Sequence, residues 1–184
     1  MLNNFTKIIL ALGLQISIIF VIIMFKSSVI SGGEEILLRI NPVDPRDVLR
    51  GDYVSLQYDI SLVPHHYFIS QQVKNGDVVY AFLRQSGKYW RVSRVQNNKP
   101  NGADLFIKGR VISGGIDSQI SDIPNYVHNG PPLKIEYGIE QYFIPEGKGQ
   151  TMNFMNKNVD AHVVVDKDGN SVLKQIYVDN KVWP

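Results

Sequence analysis

The sequence predicts an all-β domain of about eight short, mostly antiparallel strands in a sandwich or partly closed barrel, preceded by one N-terminal transmembrane helix. Two observations support this prediction. Strand-like runs recur along the 184-residue chain, separated by clusters of Gly, Pro, Asn and Asp. Near the N-terminus, a long uncharged apolar run instead extends from Ile8 to Phe25. The chain is therefore expected to divide into a membrane helix and a β-domain.

The apolar run at residues 8–25 has only Gln15 and Ser17 as polar interruptions. At a rise of 1.5 Å per residue it reaches about 27 Å, close to the hydrocarbon thickness of a bilayer. The run is longer than the apolar region of most cleaved signal peptides, and residues 29–31 match the small-residue cleavage rule poorly. An uncleaved signal-anchor helix is favoured over a cleaved signal peptide or a buried core helix.

Four segments are expected along the chain: a cytoplasmic tail at 1–7, the signal-anchor helix at 8–25, a juxtamembrane linker at 26–33 and an extracytoplasmic β-domain at 34–184. The linker, KSSVISGG, is predicted because its residues are small and turn-prone. The short N-terminal tail favours an N-terminus that stays in the cytoplasm. The expected location is therefore the cytoplasmic membrane, crossed once, with the C-terminal domain periplasmic or extracellular.

The composition excludes several classes of function. Outside Lys7 and Lys26, 17 of the 19 basic residues remain against 17 acidic ones, so the domain is formally neutral. That balance argues against nucleic acid as a partner and against a polybasic membrane patch. The chain has no cysteine, which excludes disulfides, thiol nucleophiles and thiolate zinc sites. The four histidines are scattered along the sequence, so no metal or other cofactor is expected.

The strand-like runs include one clear hairpin, in which Asp168-Gly169 supplies the turn between two alternating arms. The expected strands are residues 35–40, 53–60, 78–83, 89–95, 104–113, 133–139, 159–165 and 172–178.

The first stretch with functional potential is LRGDYVSLQYDI, residues 49–60. Its second half alternates as a half-buried strand does, and this places Leu56 and Tyr58 on the buried side. Both are therefore expected to be core residues.

The first half of that stretch is a turn that the alternation does not explain. Arg50, Gly51 and Asp52 are turn formers that lead into the strand at Tyr53. One interpretation is a self-satisfied turn in which Asp52 binds loop amides or an arginine. The other is a recognition patch beside an exposed Tyr53 ring.

A second stretch, YGIEQYFIPEGKG, occupies residues 137–149. Between Leu133 and Glu140, apolar residues alternate with polar ones or glycine, which predicts a strand with its acids on one face. Tyr142 and Phe143 then lead into the turn at Pro145, Glu146 and Gly147. If the two stretches are neighbours, Glu140 either joins an arginine in a ligand-binding patch or forms a purely structural bridge with it.

These two stretches resemble the GDYXXLXY protein family. GDYVSLQY contains the motif for which the family is named, and the second stretch is similar to its other characteristic segment. The resemblance implies a bacterial membrane-anchored protein without an assigned activity, often encoded beside or joined to a multi-spanning membrane protein. Such a protein is thus the implied partner, and no reaction is implied.

The function expected from the sequence is a non-catalytic accessory, sensory or partner-docking module in the envelope. The alternatives are an envelope hydrolase that uses carboxylates near Asp52 and Glu140, and a purely structural membrane tether. The candidate binding and motif residues are Arg50, Gly51, Asp52, Tyr53, Leu56, Tyr58, Glu140, Tyr142, Phe143, Pro145, Glu146 and Gly147.

Overall fold

A computed structural model of the chain describes residues 3–41, 53–68, 73–115, 131–143, 154 and 157–183. Within these residues, one α-helix, α1 (Asn4–Gly32), precedes the strands, and a single 3-10 turn lies at His65–Tyr67. The strands described are β1 (Glu34–Asn41), β2 (Tyr53–Ser55), β3 (Gln57–Tyr58), β4 (Leu62–Val63), β5 (Val78–Ser86), β6 (Tyr89–Gln96), β7 (Phe106–Ser113), β8 (Leu133–Glu136), β9 (Gln141–Phe143), β10 (Val159–Val165), β11 (Ser171–Val178) and β12 (Lys181–Trp183).

Helix α1 is long and apolar enough to span a membrane. It extends beyond the predicted apolar run, and residues 26–32 continue the helix where a turn-prone linker was expected. Ser and β-branched residues disfavour helix only mildly, and Pro is missing from this segment. Val29 is 2% exposed against the domain, and the helix contacts β10 and β11. Burial of Val29 therefore favours an unbroken helix up to the first strand.

The strands form two five-stranded antiparallel sheets, in the orders β12-β11-β10-β1-β3 and β4-β8-β7-β5-β6. One hydrophobic core draws on both sheets, with Leu38 and Ala161 from the first and Val79 and Ile135 from the second. Neither sheet closes into a barrel through its described strands. The prediction of an all-β sandwich behind one apolar helix is thus confirmed.

A third, two-stranded sheet consists of β2 and β9, and we call it the ribbon. The sequence predicts one strand from Tyr53 to Ile60, but the structure divides it at Leu56. Before Leu56 the chain pairs with β9, and after it β3 pairs with β1. The Leu56 N–H donates to the Glu140 carbonyl at 2.6 Å, where the chain changes partner. Three of the short strands, β4, β9 and β12, were not predicted.

The predicted hairpin at Asp168-Gly169 is confirmed, and its turn also contacts the second sheet. Asp166 accepts hydrogen bonds from the backbone N–H groups of Asp168 (2.9 Å) and Asn170 (2.8 Å). Gly169 has a φ of 80°, and its carbonyl accepts from the Lys108 N–H at 2.8 Å. The turn between β10 and β11 thereby closes one end of the sandwich, near the end of α1.

Candidate functional site

The two sequence stretches singled out above are neighbours in the structure. Tyr53 of β2 lies opposite Phe143 of β9, and Ser55 lies opposite Gln141. The first half of GDYVSLQY is therefore hydrogen-bonded along its backbone to the second stretch. The ribbon therefore brings together two stretches that are far apart in sequence.

Beyond the ribbon, the first motif enters the core. Leu56 is buried and Tyr58 is fully buried, as the alternation predicts. The Tyr58 hydroxyl donates to the Ile139 carbonyl at 2.5 Å, and the Tyr58 N–H donates to Ser61 Oγ at 3.1 Å. Burial raises the pKa of Tyr58 well above its usual value, so the hydroxyl remains a donor at physiological pH.

Tyr137 from the second stretch is held in a matching way. Its hydroxyl donates to the Ile60 carbonyl at 2.8 Å, and its own carbonyl accepts from Ser171 Oγ at 3.1 Å. A Cβ at Gly109 would come within 2.8 Å of the Tyr137 ring, so only glycine lets β7 approach so closely. The sequence pattern did not reveal this role for Tyr137, although the alternation predicts its burial and the structure confirms it.

Glu140 stabilises the turn between β8 and β9. Its carboxylate accepts from the backbone N–H groups of Tyr137 (2.5 Å) and Gly138 (2.8 Å), and Gly138 has a φ of 79°. Burial raises the pKa of Glu140, while the amide hydrogen bonds partly oppose this effect. The expected arginine bridge does not occur among the described residues, since Glu140 binds turn amides and Arg50 lies outside them.

A small cleft of about 110 Å³ lies beside this turn, lined by residues of both motif stretches. Glu140 forms part of its wall together with Ser61, Lys134 and Glu136. Lys134 and Glu136 are exposed, which is consistent with the prediction that this strand turns its polar residues to one face. The cleft is too small for most ligands, whose pockets typically measure about 300 Å³ or more.

The ribbon also carries aromatic residues. The ring of Tyr142 lies 5.7 Å from that of Trp183, and the Trp183 ring lies 5.7 Å from that of Phe154. Phe143, by contrast, is 76% exposed. One face of the ribbon therefore packs on the edge of the first sheet, and Phe143 projects toward solvent.

Six candidate residues lie outside the described part of the chain: Arg50, Gly51, Asp52, Pro145, Glu146 and Gly147. The Tyr53 side chain is likewise outside it, although its backbone is placed by the ribbon. In sequence these residues adjoin the terminal ribbon pair, Tyr53 and Phe143. A recognition patch formed by them stays a prediction.

One buried polar cluster was not foreseen from the sequence. The Asp160 carboxylate on β10 accepts from Lys88 Nζ and from the Tyr89 hydroxyl, each at 2.7 Å. The Asp160 side chain is 6% exposed and that of Lys88 is 52% exposed. Because Lys88 and Tyr89 belong to the β5–β6 hairpin, this cluster connects the two sheets. The chemistry is that of a structural ion pair.

The family model described as GDYXXLXY protein matches residues 15–176, which is most of the chain. The chain belongs to the GDYXXLXY protein family. No curated protein and no solved structure matches it.

The residues of the GDYXXLXY signature have different physical roles. Its Leu56 and Tyr58 fill the core, and Tyr58 also binds the segment before β9. Its Tyr53 is the terminal residue of the ribbon. The described part of the signature thus joins two distant segments of this GDYXXLXY protein.

Proposed function

We propose that this GDYXXLXY protein is anchored in the cytoplasmic membrane by α1 and that its extracytoplasmic β-domain is a non-catalytic accessory module. Its task is to dock a multi-spanning membrane protein, the partner that the family resemblance implies. The helix is long and apolar enough for the anchoring role. The ribbon is the proposed docking surface.

The observation that carries this proposal is the exposure of Phe143 on a ribbon built from both motif stretches. A phenylalanine that is 76% exposed contributes apolar area that a partner can bury, and aromatic residues are enriched at interfaces. The ribbon backbone holds Phe143 directly opposite Tyr53. The remaining motif residues adjoin this pair in sequence, so a contact at the ribbon end would bring the partner to them.

The role of Glu140 argues against the hydrolase alternative. A general acid or base needs a carboxyl group that can approach substrate. The Glu140 carboxylate instead accepts two turn amides and lies beside a cleft of about 110 Å³. These contacts support a structural role for Glu140, and docking is the function we retain.

The test is photo-crosslinking in native membranes, with a photoreactive amino acid placed at Phe143 of the full chain. The matched control places it at Val182, which is 63% exposed on the short edge strand β12. Capture of a multi-spanning membrane protein at position 143 and not at 182 is the expected result. Crosslinks confined to residues 42–52 or 144–153 of the same chain, or equal products at both positions, overturn docking and favour a purely structural tether.

A further inference from the structure

A cleft of about 280 Å³ lies between the end of α1 and the β-domain. The helix contributes Phe25 and Lys26 to its wall. Lys108 and Arg110 of β7, with Glu136 of β8, contribute the facing wall. The cleft thus places the last residue of the uncharged apolar run beside charged residues of a sheet that is far from it in sequence.

The position of this cleft relative to a bilayer follows from the sequence of α1. Phe25 ends the uncharged run and Lys26 is the first charged residue after it. The headgroup layer begins where the hydrocarbon ends and is roughly 5–7 Å thick on each side. Groups that share a cleft with Phe25 and Lys26 therefore lie at the level of the lipid headgroups.

The β-domain packs directly against the end of α1, next to the proposed headgroup level. Val29, one helical turn after Phe25, is buried against the domain. A Cβ at Gly33 would come within 2.5 Å of Val164 Cγ1 and 2.8 Å of the Val165 carbonyl oxygen, so helix and sheet are in close contact there. The cleft is therefore preformed, and its height above the hydrocarbon does not depend on a flexible linker.

The charge of the cleft is positive although the domain as a whole is neutral. Lys108 and Arg110 are exposed and lie two residues apart on β7, so both project from the same face of the sheet. Lys26 is exposed on the helix side. Across the stretches that the structure describes, the side-chain ion pairs involve none of these three cations. Arg110 Nη1 donates to the Gly76 carbonyl at 2.9 Å, and its positive charge is not neutralised by that neutral acceptor. Glu136, opposite Arg110 in register, is the one acidic residue in the cleft wall.

We propose that this cleft binds the phosphate of an anionic phospholipid headgroup through Lys26, Lys108 and Arg110. The inference rests on the anchoring role of α1 proposed above, and it holds for either orientation of the chain. Basic residues near a membrane surface each contribute about 1 kcal/mol to binding of anionic lipid. The neutral composition argues against an extended polybasic patch, but three cations gathered in one cleft are enough for one headgroup.

The test measures lipid binding to the full chain in detergent micelles by native mass spectrometry, with phosphatidylglycerol as the probe. The double variant Lys108→Gln/Arg110→Gln removes two cations from the cleft. Its control, Arg84→Gln/Arg91→Gln, removes two exposed cations that face each other on β5 and β6 of the same sheet. We expect the cleft variant to bind phosphatidylglycerol about 30-fold more weakly and the control to bind as the unmodified chain does.

Further arms define the ligand. Phosphatidylcholine should bind the unmodified chain no more tightly than it binds the cleft variant. Displacement of phosphatidylglycerol by millimolar inorganic phosphate would identify a free-phosphate site and overturn the lipid assignment. Equal phosphatidylglycerol affinity in the cleft and control variants also overturns it. If the double variant fails to fold, Lys26→Gln on the helix removes one cation and should weaken phosphatidylglycerol binding about 5-fold.

Carbonate extraction of the full chain from cell membranes tests the anchoring separately. A chain that is released overturns the anchor and with it the lipid site. A chain that stays in the membrane but shows equal lipid affinity in both variants overturns the lipid site alone.

Discussion

Tyr58 and Tyr137 each hydrogen-bond to the chain segment that carries the other. The Tyr58 hydroxyl donates to the carbonyl of Ile139, two residues after Tyr137. The Tyr137 hydroxyl donates to the carbonyl of Ile60, two residues after Tyr58. Both rings are buried, so each hydroxyl satisfies a carbonyl that water does not reach. This exchange joins the two motif stretches within the core.

Replacing either tyrosine by phenylalanine tests this pair. Tyr58→Phe or Tyr137→Phe leaves a buried carbonyl without its donor, and each should lower the free energy of unfolding by about 1–2 kcal/mol. Urea denaturation of the full chain in detergent, followed by tryptophan fluorescence, measures the loss. The control is Tyr67→Phe, at a half-buried ring stacked on His66, with an expected change below about 0.5 kcal/mol.

The double variant Tyr58→Phe/Tyr137→Phe tests whether the two bonds act together. Both hydroxyls bind the same pair of segments, so the combined loss should depart from the sum of the single losses by about 0.5 kcal/mol or more. Strict additivity would show that the two hydrogen bonds are independent.

Glu140 should make stability depend on pH. Burial raises its folded pKa above the usual 4.5, so the folded protein keeps a proton that the unfolded chain has already lost. Stability should therefore fall as the pH rises from about 4.5 to the raised folded pKa and level off above it. Urea denaturation across this range measures the fall. Glu140→Gln should remove this component of the profile, and a variant profile parallel to that of the unmodified chain would assign it to another group.

The Lys88–Asp160 pair should contribute more to stability than an exposed pair. Lys88→Met removes one of the two donors to the buried Asp160 carboxylate and leaves the Tyr89 hydroxyl. We expect the free energy of unfolding to fall by about 1–3 kcal/mol. Lys174→Met breaks the exposed pair with Glu35 and serves as the control, with a smaller loss expected because water screens that pair. Equal losses in urea denaturation would contradict the structural role assigned to Asp160.

Gly33 should determine how tightly α1 and the domain are joined. A methyl group there would meet Val164 and the Val165 carbonyl oxygen, so Gly33→Ala should force the helix end away from β10. Because the chain has no cysteine, a thiol-reactive spin label attaches only at the two introduced sites, Ser28→Cys and Lys181→Cys. Double electron–electron resonance should give a narrow distance distribution that Gly33→Ala broadens. Gly32→Ala, where an added Cβ meets nothing within 4 Å, is the control and should leave the distribution narrow.

The sequence predicted those features that depend on local periodicity. The apolar helix, the core positions of Leu56 and Tyr58 and the hairpin at Gly169 all follow from patterns several residues long. The change of partner at Leu56 was not predictable, because it depends on the Glu140 carbonyl far away in sequence. Strands of two or three residues such as β4 and β9 are too short to show a period.

In the candidate site too, some features were predicted from the sequence and others were not. The adjacency of the two motif stretches was posed as a condition, and backbone pairing establishes it. The partners of Glu140 were not foreseen because they are backbone amides of its own turn, which a search for opposite charges cannot find. The inter-sheet role of Asp160 depends on a hairpin turn that reaches across the sandwich, and a single strand pattern does not reveal it.

If α1 spans a bilayer as proposed, the continuous connection from α1 into the sandwich limits how this domain can move relative to the membrane. Without a flexible hinge at residues 26–32, the ribbon cannot sample different heights above the membrane. Lateral diffusion and rotation about the helix axis remain, and tilting of the helix must tilt the whole domain with it. The proposed partner would then have to present its contact surface at one fixed height above the bilayer, and its search for the ribbon would be two-dimensional. A change of helix tilt imposed within the lipid would be transmitted directly to Phe143 at the ribbon.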